Sequence, residues 1–178
     1  MNWSLILSIG LPILFIFFIA RYTYRTYNEI IWWGLKVDKL AGNVDATLKK
    51  KYDMIPALSE IVKGYAKHES STFSEVTKLR SQWGNAKTTN EKINKANMLE
   101  GALSKLLLIQ EQYPQLKADR NFREIQKSIS RVDNDIMKER KYYNEKVRRY
   151  NVRVKLFPKN IIAKMFGFEK REFFSKEE

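Results

Sequence analysis

The sequence predicts an all-α protein, in which an N-terminal transmembrane helix continues into an antiparallel four-helix bundle and a short amphipathic C-terminal tail follows. Three observations carry this. From Trp3 to Ala20 no charged side chain occurs, and Arg21 ends the run. After it, apolar residues recur at spacings of three and four, the mark of helices with one buried face. Seven Gly and four Pro in 178 residues are too few for a turn-rich β protein or a disordered linker, and they suit long helices. The boundaries fall at 1–21 for the anchor, 22–157 for the bundle and 158–178 for the tail.

The anchor comes first. Its 18 residues make a helix of about 27 Å, close to the hydrocarbon thickness of a bilayer. Trp3, Leu5, Ile6, Leu11, Phe15, Phe17 and Phe18 face lipid in this reading, and Arg21 sits at the interface. Trp3 on one side and Tyr22, Tyr24 and Tyr27 on the other supply an aromatic girdle. A cleaved signal is not expected, because the n-region is Met1-Asn2 and the run ends Phe18-Ile19-Ala20 without a small-residue cleavage site. Arg21, Arg25 and Lys36 flank the C-terminal side only, so the positive-inside bias puts the N-terminus out and the body in the cytoplasm. Gly10 and Pro12 are tolerable in a spanning helix.

The body follows as four helices. Tyr27, Ile30, Gly34, Val37, Ala41, Val44 and Leu48 form the first stripe, which continues the anchor helix, and Lys49, Lys50 and Lys51 place cations in its last turn. Pro56 suits the first turn of a second helix with Asp53 as its cap. The second stripe is Ile55, Leu58, Val62, Tyr65, Phe73, Val76, Leu79 and Trp83, broken only by Glu69, and Gly84-Asn85 closes it. Thr88 or Thr89 caps a third helix with the stripe Ile93, Ala96, Leu99, Leu103, Leu106 and Gln110, which Tyr113-Pro114 stops. A polar stretch from Gln115 to Arg120 leads to the longest run: Phe122, Ile125, Ile129, Val132, Ile136, Tyr143, Val147, Tyr150, Val154 and Phe157. Spacings near 3.5 predict a long packing seam. Short connections between four such helices favour an antiparallel bundle. The tail carries Ile161, Ile162, Met165, Phe166, Phe168, Phe173 and Phe174, and should dock on the bundle or on the bilayer.

The net charge of +13 lies outside the anchor and favours anionic lipid, nucleic acid or acidic proteins. It concentrates between Lys138 and Lys159, with nine basic residues against two acids. Lys138, Arg140, Lys141, Lys146, Arg148, Arg149, Arg153 and Lys155 are therefore the candidate contacts for a partner or an anionic surface. Catalytic chemistry finds little to work with. The absence of Cys removes disulfides, thiolate metal sites, Cys nucleophiles and lipoprotein acylation, and the single His68 has no partner for a triad or a metal site. No glycine-rich phosphate loop occurs, and Asp133 with Asp135 does not make a carboxylate metal site. No catalytic residue, metal or cofactor is expected. The pairs Tyr27-Asn28, Tyr143-Asn144 and Tyr150-Asn151 are read as seam tyrosines beside asparagines that fix register by buried hydrogen bonds. Stacking on RNA is their other reading.

Tyr52-Asp53-Met54-Ile55-Pro56-Ala57-Leu58 followed by Val62-Lys63-Gly64-Tyr65-Ala66-Lys67-His68-Glu69 resembles the signature of the LemA family. Tyr113-Pro114-Gln115-Leu116-Lys117-Ala118, Asn121-Phe122, Tyr143-Asn144, Tyr150-Asn151, Phe157-Pro158 and Phe166-Gly167-Phe168 resemble its later motifs in order. The chain departs at Ala41-Gly42-Asn43, where the family usually has a Trp ahead of the Val-Asp pair. The resemblance implies a bacterial single-pass protein of the cytoplasmic (inner) membrane with a helical bundle, and it brings no activity, cofactor or catalytic residue. The function expected is a non-catalytic membrane-anchored scaffold or adaptor that binds a protein, an anionic lipid surface or itself. The alternative is a membrane-tethered nucleic-acid-binding module using the basic fourth helix.

Overall fold

The structure, a computed structural model, describes residues 3–66 and 68–174, with side chains from Ile9 onward. Every regular element among these residues is helical: α1 (Trp3–Tyr52), α2 (Ile55–Tyr65), α3 (Ser70–Gly84), α4 (Thr89–Leu108), a 3-10 turn (Ile109–Glu111), α5 (Pro114–Ala118), α6 (Arg120–Lys155) and α7 (Lys159–Met165). The chain forms two compact units. Unit 1 takes Met1–Asp38 with Glu145–Arg171, and unit 2 takes Lys39–Asn144 with Glu172–Glu178, so α1 and α6 each contribute to both.

Unit 2 buries the predicted stripes. Val44 and Leu48 of α1, Leu58 and Val62 of α2, Val76 of α3, Leu99 and Leu106 of α4 and Phe122 of α6 are all fully enclosed. Each such side chain stabilises the fold by roughly 1.5–3 kcal/mol. Side-chain pairs give the helix directions. Asn43 meets Glu139 and Lys51 meets Asp133, so α1 and α6 run antiparallel. Lys95 meets Gln82 and Lys105 meets Glu75, so α3 and α4 do too. Thr88 starts α4 with a reciprocal capping box: the Glu91 amide donates to the Thr88 hydroxyl at 3.1 Å, and the Thr88 amide donates to the Glu91 carboxylate at 3.3 Å.

Four local expectations change in unit 2. The second stripe is two helices, because the backbone leaves helical geometry at Ala66 (φ −122, ψ 61) while the Ala66 side chain stays buried. Tyr65 then lies outside the core, its hydroxyl donating to Asp119 at 2.9 Å. Asp53 does not cap α2: Met54 holds that position, and Asp53 pairs with Lys49 and Arg80. The stretch from Gln115 to Arg120 is not a plain connection either. Pro114 opens α5, which buries Leu116 completely, and the Asp119 carboxylate receives the Phe122 amide at 2.8 Å, satisfying a free donor at the start of α6. That bond and the one from Tyr65 hold the Asp119 carboxyl below its ordinary range.

Unit 1 holds the N-terminal part of α1, the C-terminal part of α6 and α7. Leu11, Phe15, Phe17, Phe18 and Arg21 are exposed on α1. Among the described residues no helix is long and apolar enough to cross a membrane. The described apolar side chains from Ile9 to Ala20 cover roughly 18 Å of helix, against about 30 Å of hydrocarbon. The remaining predicted anchor residues Trp3, Leu5 and Ile6 have side chains outside the described set, so the spanning helix is not carried by the described residues. Phe157 also departs from expectation: α6 ends at Lys155, and Phe157 is 78% exposed instead of closing the seam.

Candidate functional site

In unit 1 the side chains of α1, α6 and α7 converge on Trp33 and Glu29. Trp33 is buried on α1, and the Arg153 guanidinium lies 4.2 Å from its ring centroid, with Arg149 and Lys146 each at 5.8 Å. Lys36 stands 3.4 Å over the neighbouring Trp32. Glu29, one turn before Trp33, receives Arg153 Nε at 2.7 Å and Lys159 Nζ at 2.5 Å. Partial burial raises the Glu29 carboxyl, but the bonds from Lys159 and Arg153 outweigh it and hold the group below its usual value. Tyr27 completes the clasp, with ring contacts to Phe166 at 4.8 Å and Phe168 at 5.6 Å.

The asparagines act on the tail. In unit 1, Asn151 makes a two-bond ladder with the Arg171 backbone: the Arg171 amide donates to Oδ1 and Nδ2 donates to the Arg171 carbonyl, both at 2.9 Å. Arg171 also reaches Asp38 at 3.4 Å. In unit 2, Asn144 repeats the ladder on Phe174, at 3.0 Å from the amide to Oδ1 and 3.3 Å from Nδ2 to the carbonyl. Tyr143 donates to the Glu172 carbonyl at 3.0 Å and packs its ring edge-on to the buried Phe174. A carboxamide presents an N–H donor and an oxygen acceptor side by side, so it pairs with the amide and carbonyl of one residue as a neighbouring strand would. The predicted role in helix register is thus corrected. Asn28 does not share the new role, since it bonds the Tyr24 carbonyl of its own helix. A double Tyr-Asn one heptad apart followed by an aromatic tail is the signal that could have shown this.

The basic candidates are largely engaged. Arg148 and Arg149 both bind Glu145, whose carboxyl they push down to about 2. Arg153 and Lys146 belong to the Trp33 cluster. Arg140 lies 5.3 Å from the Phe174 ring, and its Nε and Nη2 have no hydrogen-bond partner among the described residues. Lys138 sits 3.9 Å from Asp135, and Lys141 and Lys155 are exposed.

Unit 2 also holds an ionic cluster that sequence reasoning missed. Lys51, its side chain 5% exposed, bridges Glu100 and Asp133, the latter at 2.6 Å. The Tyr52 hydroxyl donates to Glu100 at 3.0 Å, and Arg80 Nε donates to the Tyr52 carbonyl at 2.9 Å. Burial and the adjacent Glu100 carboxylate raise the Tyr52 phenol far above its ordinary value, so it stays protonated. The signal was present in Lys49-Lys50-Lys51, where the third lysine falls on the buried side. Among the described residues no group of three or more His, Asp or Glu could hold a metal ion, and His68 is exposed.

These features define a class: an all-α protein whose ionic and aromatic groups tie helices and a C-terminal segment together. The LemA family pattern matches residues 41–178, and the chain belongs to the LemA family. Two curated relatives, Magnetosome protein MamQ 1 and Magnetosome protein MamQ 2 of Paramagnetospirillum magneticum (strain ATCC 700264 / AMB-1), are each 28% identical over 76 residues. The match covers 43% of this chain and 28% of each relative, so it speaks for a segment of those proteins and not for their whole length.

Proposed function

We propose that this protein is a non-catalytic helical scaffold or adaptor anchored by one pass through the bacterial cytoplasmic membrane, with its N-terminus out and a cytoplasmic helical bundle that binds a protein partner or a second copy. One observation carries the reading: the large apolar residues from Ile9 to Ile19 are each 51–67% exposed, on every side of α1. A helix that is apolar all round belongs in lipid, and the preceding Trp3 to Ser8 extend the uncharged run to spanning length. Membership of the LemA family supports membrane association. The nucleic-acid alternative is favoured by charge alone, and three of its basic candidates, Arg148, Arg149 and Arg153, already hold carboxylates.

Alkaline carbonate washing of membranes from cells making the full chain tests the anchor. Retention in the pellet is expected, and release with peripheral proteins would overturn it. Crosslinking in the native membrane followed by mass spectrometry tests the adaptor role. Crosslinks from Lys138 or Lys141 into one other protein mark an adaptor, crosslinks only to the same chain mark a self-assembling scaffold, and an absence of intermolecular crosslinks would contradict both.

A further inference from the structure

The turn joining α6 to α7 leaves large apolar side chains in the open: Leu156 is 58% exposed, Phe157 78%, Ile161 56% and Met165 63%. Water is a poor solvent for such a patch. Its place within unit 1 says what covers it. Along α6, Tyr150 lies on Gly34 and Arg153 on Glu29, so α6 runs back along α1 toward Arg25 and Arg21. The next residues of α6 therefore reach the end of α1 that leads into the apolar run. Lys159 on Glu29 and Phe166 on Tyr27 pin α7 within about one turn of Arg25. Arg25 lies five residues past Ala20, about 8 Å along a helix, which is the depth of the headgroup layer. Charge agrees with position: Arg21, Arg25, Lys155 and Lys164 are exposed around the patch, where cations favour anionic headgroups.

We infer that the α6–α7 turn is a second, interfacial membrane contact, in which Leu156, Phe157, Ile161 and Met165 enter the anionic headgroup region of the bilayer that holds the anchor. The inference rests on the anchored reading above and adds a lipid-binding surface to it. Two contacts, one spanning and one lying on the surface, fix the tilt of unit 1 on the membrane, which a single helix does not.

The chain has no cysteine, so single substitutions Phe157→Cys, Ile161→Cys, Phe15→Cys and Met98→Cys each carry one environment-sensitive dye. All four positions are exposed, so labelling spares the core. The full protein is placed in vesicles of phosphatidylglycerol and phosphatidylcholine in which part of the lipid is brominated. Quenching at 157 and 161 within about twofold of that at 15 is expected, with none at 98. Quenching at 15 without quenching at 157 and 161 would overturn the interfacial contact and leave the anchor standing. No quenching at any position would overturn both. Equal quenching of 157 and 161 in vesicles of phosphatidylcholine alone would overturn the role given to the anionic headgroups.

Discussion

Unit 1 and unit 2 are made from the same two long helices and use their residues in opposite ways. Unit 2 buries most of its apolar stripes and a charged group, Lys51, among them. Unit 1 shows its apolar side chains on α1 and around α7, and keeps its charges at the surface of a Trp33 clasp. Unit 2 thus carries within its own helices what its burial requires, whereas unit 1 leaves large apolar side chains uncovered, and the proposed membrane contacts rest on them. Both hold the C-terminal segment by the same device, an asparagine paired with the amide and carbonyl of one residue.

The largest expected effect would break the comparison on the side of unit 2. Val132 is 3% exposed in the α6 stripe, and Val132→Asp places an unpaired charge there at a cost of about 4 kcal/mol or more. Loss of cooperative thermal unfolding by circular dichroism is expected, with the protein still pelleting with membranes. A melt like that of the unsubstituted protein would mean that α6 is not packed as described.

Lys51→Ala comes next. It leaves the Glu100 and Asp133 carboxylates facing one another, and loss of a buried partner costs about 3 kcal/mol, lowered here because Glu100 and Asp133 are partly exposed. Chemical denaturation should show the loss, and Lys51→Met with Glu100→Gln should recover part of it.

The asparagine ladders sharpen the comparison, because each unit has one. Asn151→Ala should cost about 1–2 kcal/mol through its two hydrogen bonds, and should raise amide exchange at Arg171. Asn144→Ala should do the same at Phe174. Unchanged exchange in both would remove the clamp. The smallest effect is one of pH. The Glu29 carboxyl is held below its ordinary 4.5, so its contribution is present above about that pH and is lost as pH falls through the lower native value. The opening free energy of the α7 amides, read as protection relative to intrinsic exchange at each pH, should fall on acidification through that window by less than about 1 kcal/mol, since the pair is partly exposed, and Glu29→Gln should remove this dependence.

Much of this fold was legible because a buried helix face repeats every three or four residues. Val44, Leu48, Leu99 and Val132 all lie where periodicity puts them. The cap of α4 was legible as Thr88 or Thr89, and the structure selects Thr88 and adds the reciprocal bond to Glu91. What escaped depends on geometry that periodicity does not encode. A stripe can continue across a break, so Val62, Tyr65 and Phe73 read as one helix although the chain turns between them and buries Ala66 in place of Tyr65. A charge count does not say where charges point: Arg148, Arg149 and Arg153 look like a free basic face in sequence and are tied to Glu145 and Glu29 in space. Asparagines of the fourth helix could not be matched to a tail twenty or thirty residues away without the fold.

The central claim is that the chain enters the membrane through the residues before Arg21 and keeps its body on the cytoplasmic side. Because no native cysteine competes, a membrane-impermeant maleimide applied to intact spheroplasts reads it directly from Phe15→Cys and Lys141→Cys. Phe15→Cys should stay unlabelled before and after the membrane is permeabilised, and Lys141→Cys should label only afterwards. Labelling of Phe15→Cys in intact spheroplasts as fast as a soluble thiol would contradict the anchor, and labelling of Lys141→Cys before permeabilisation would contradict the orientation.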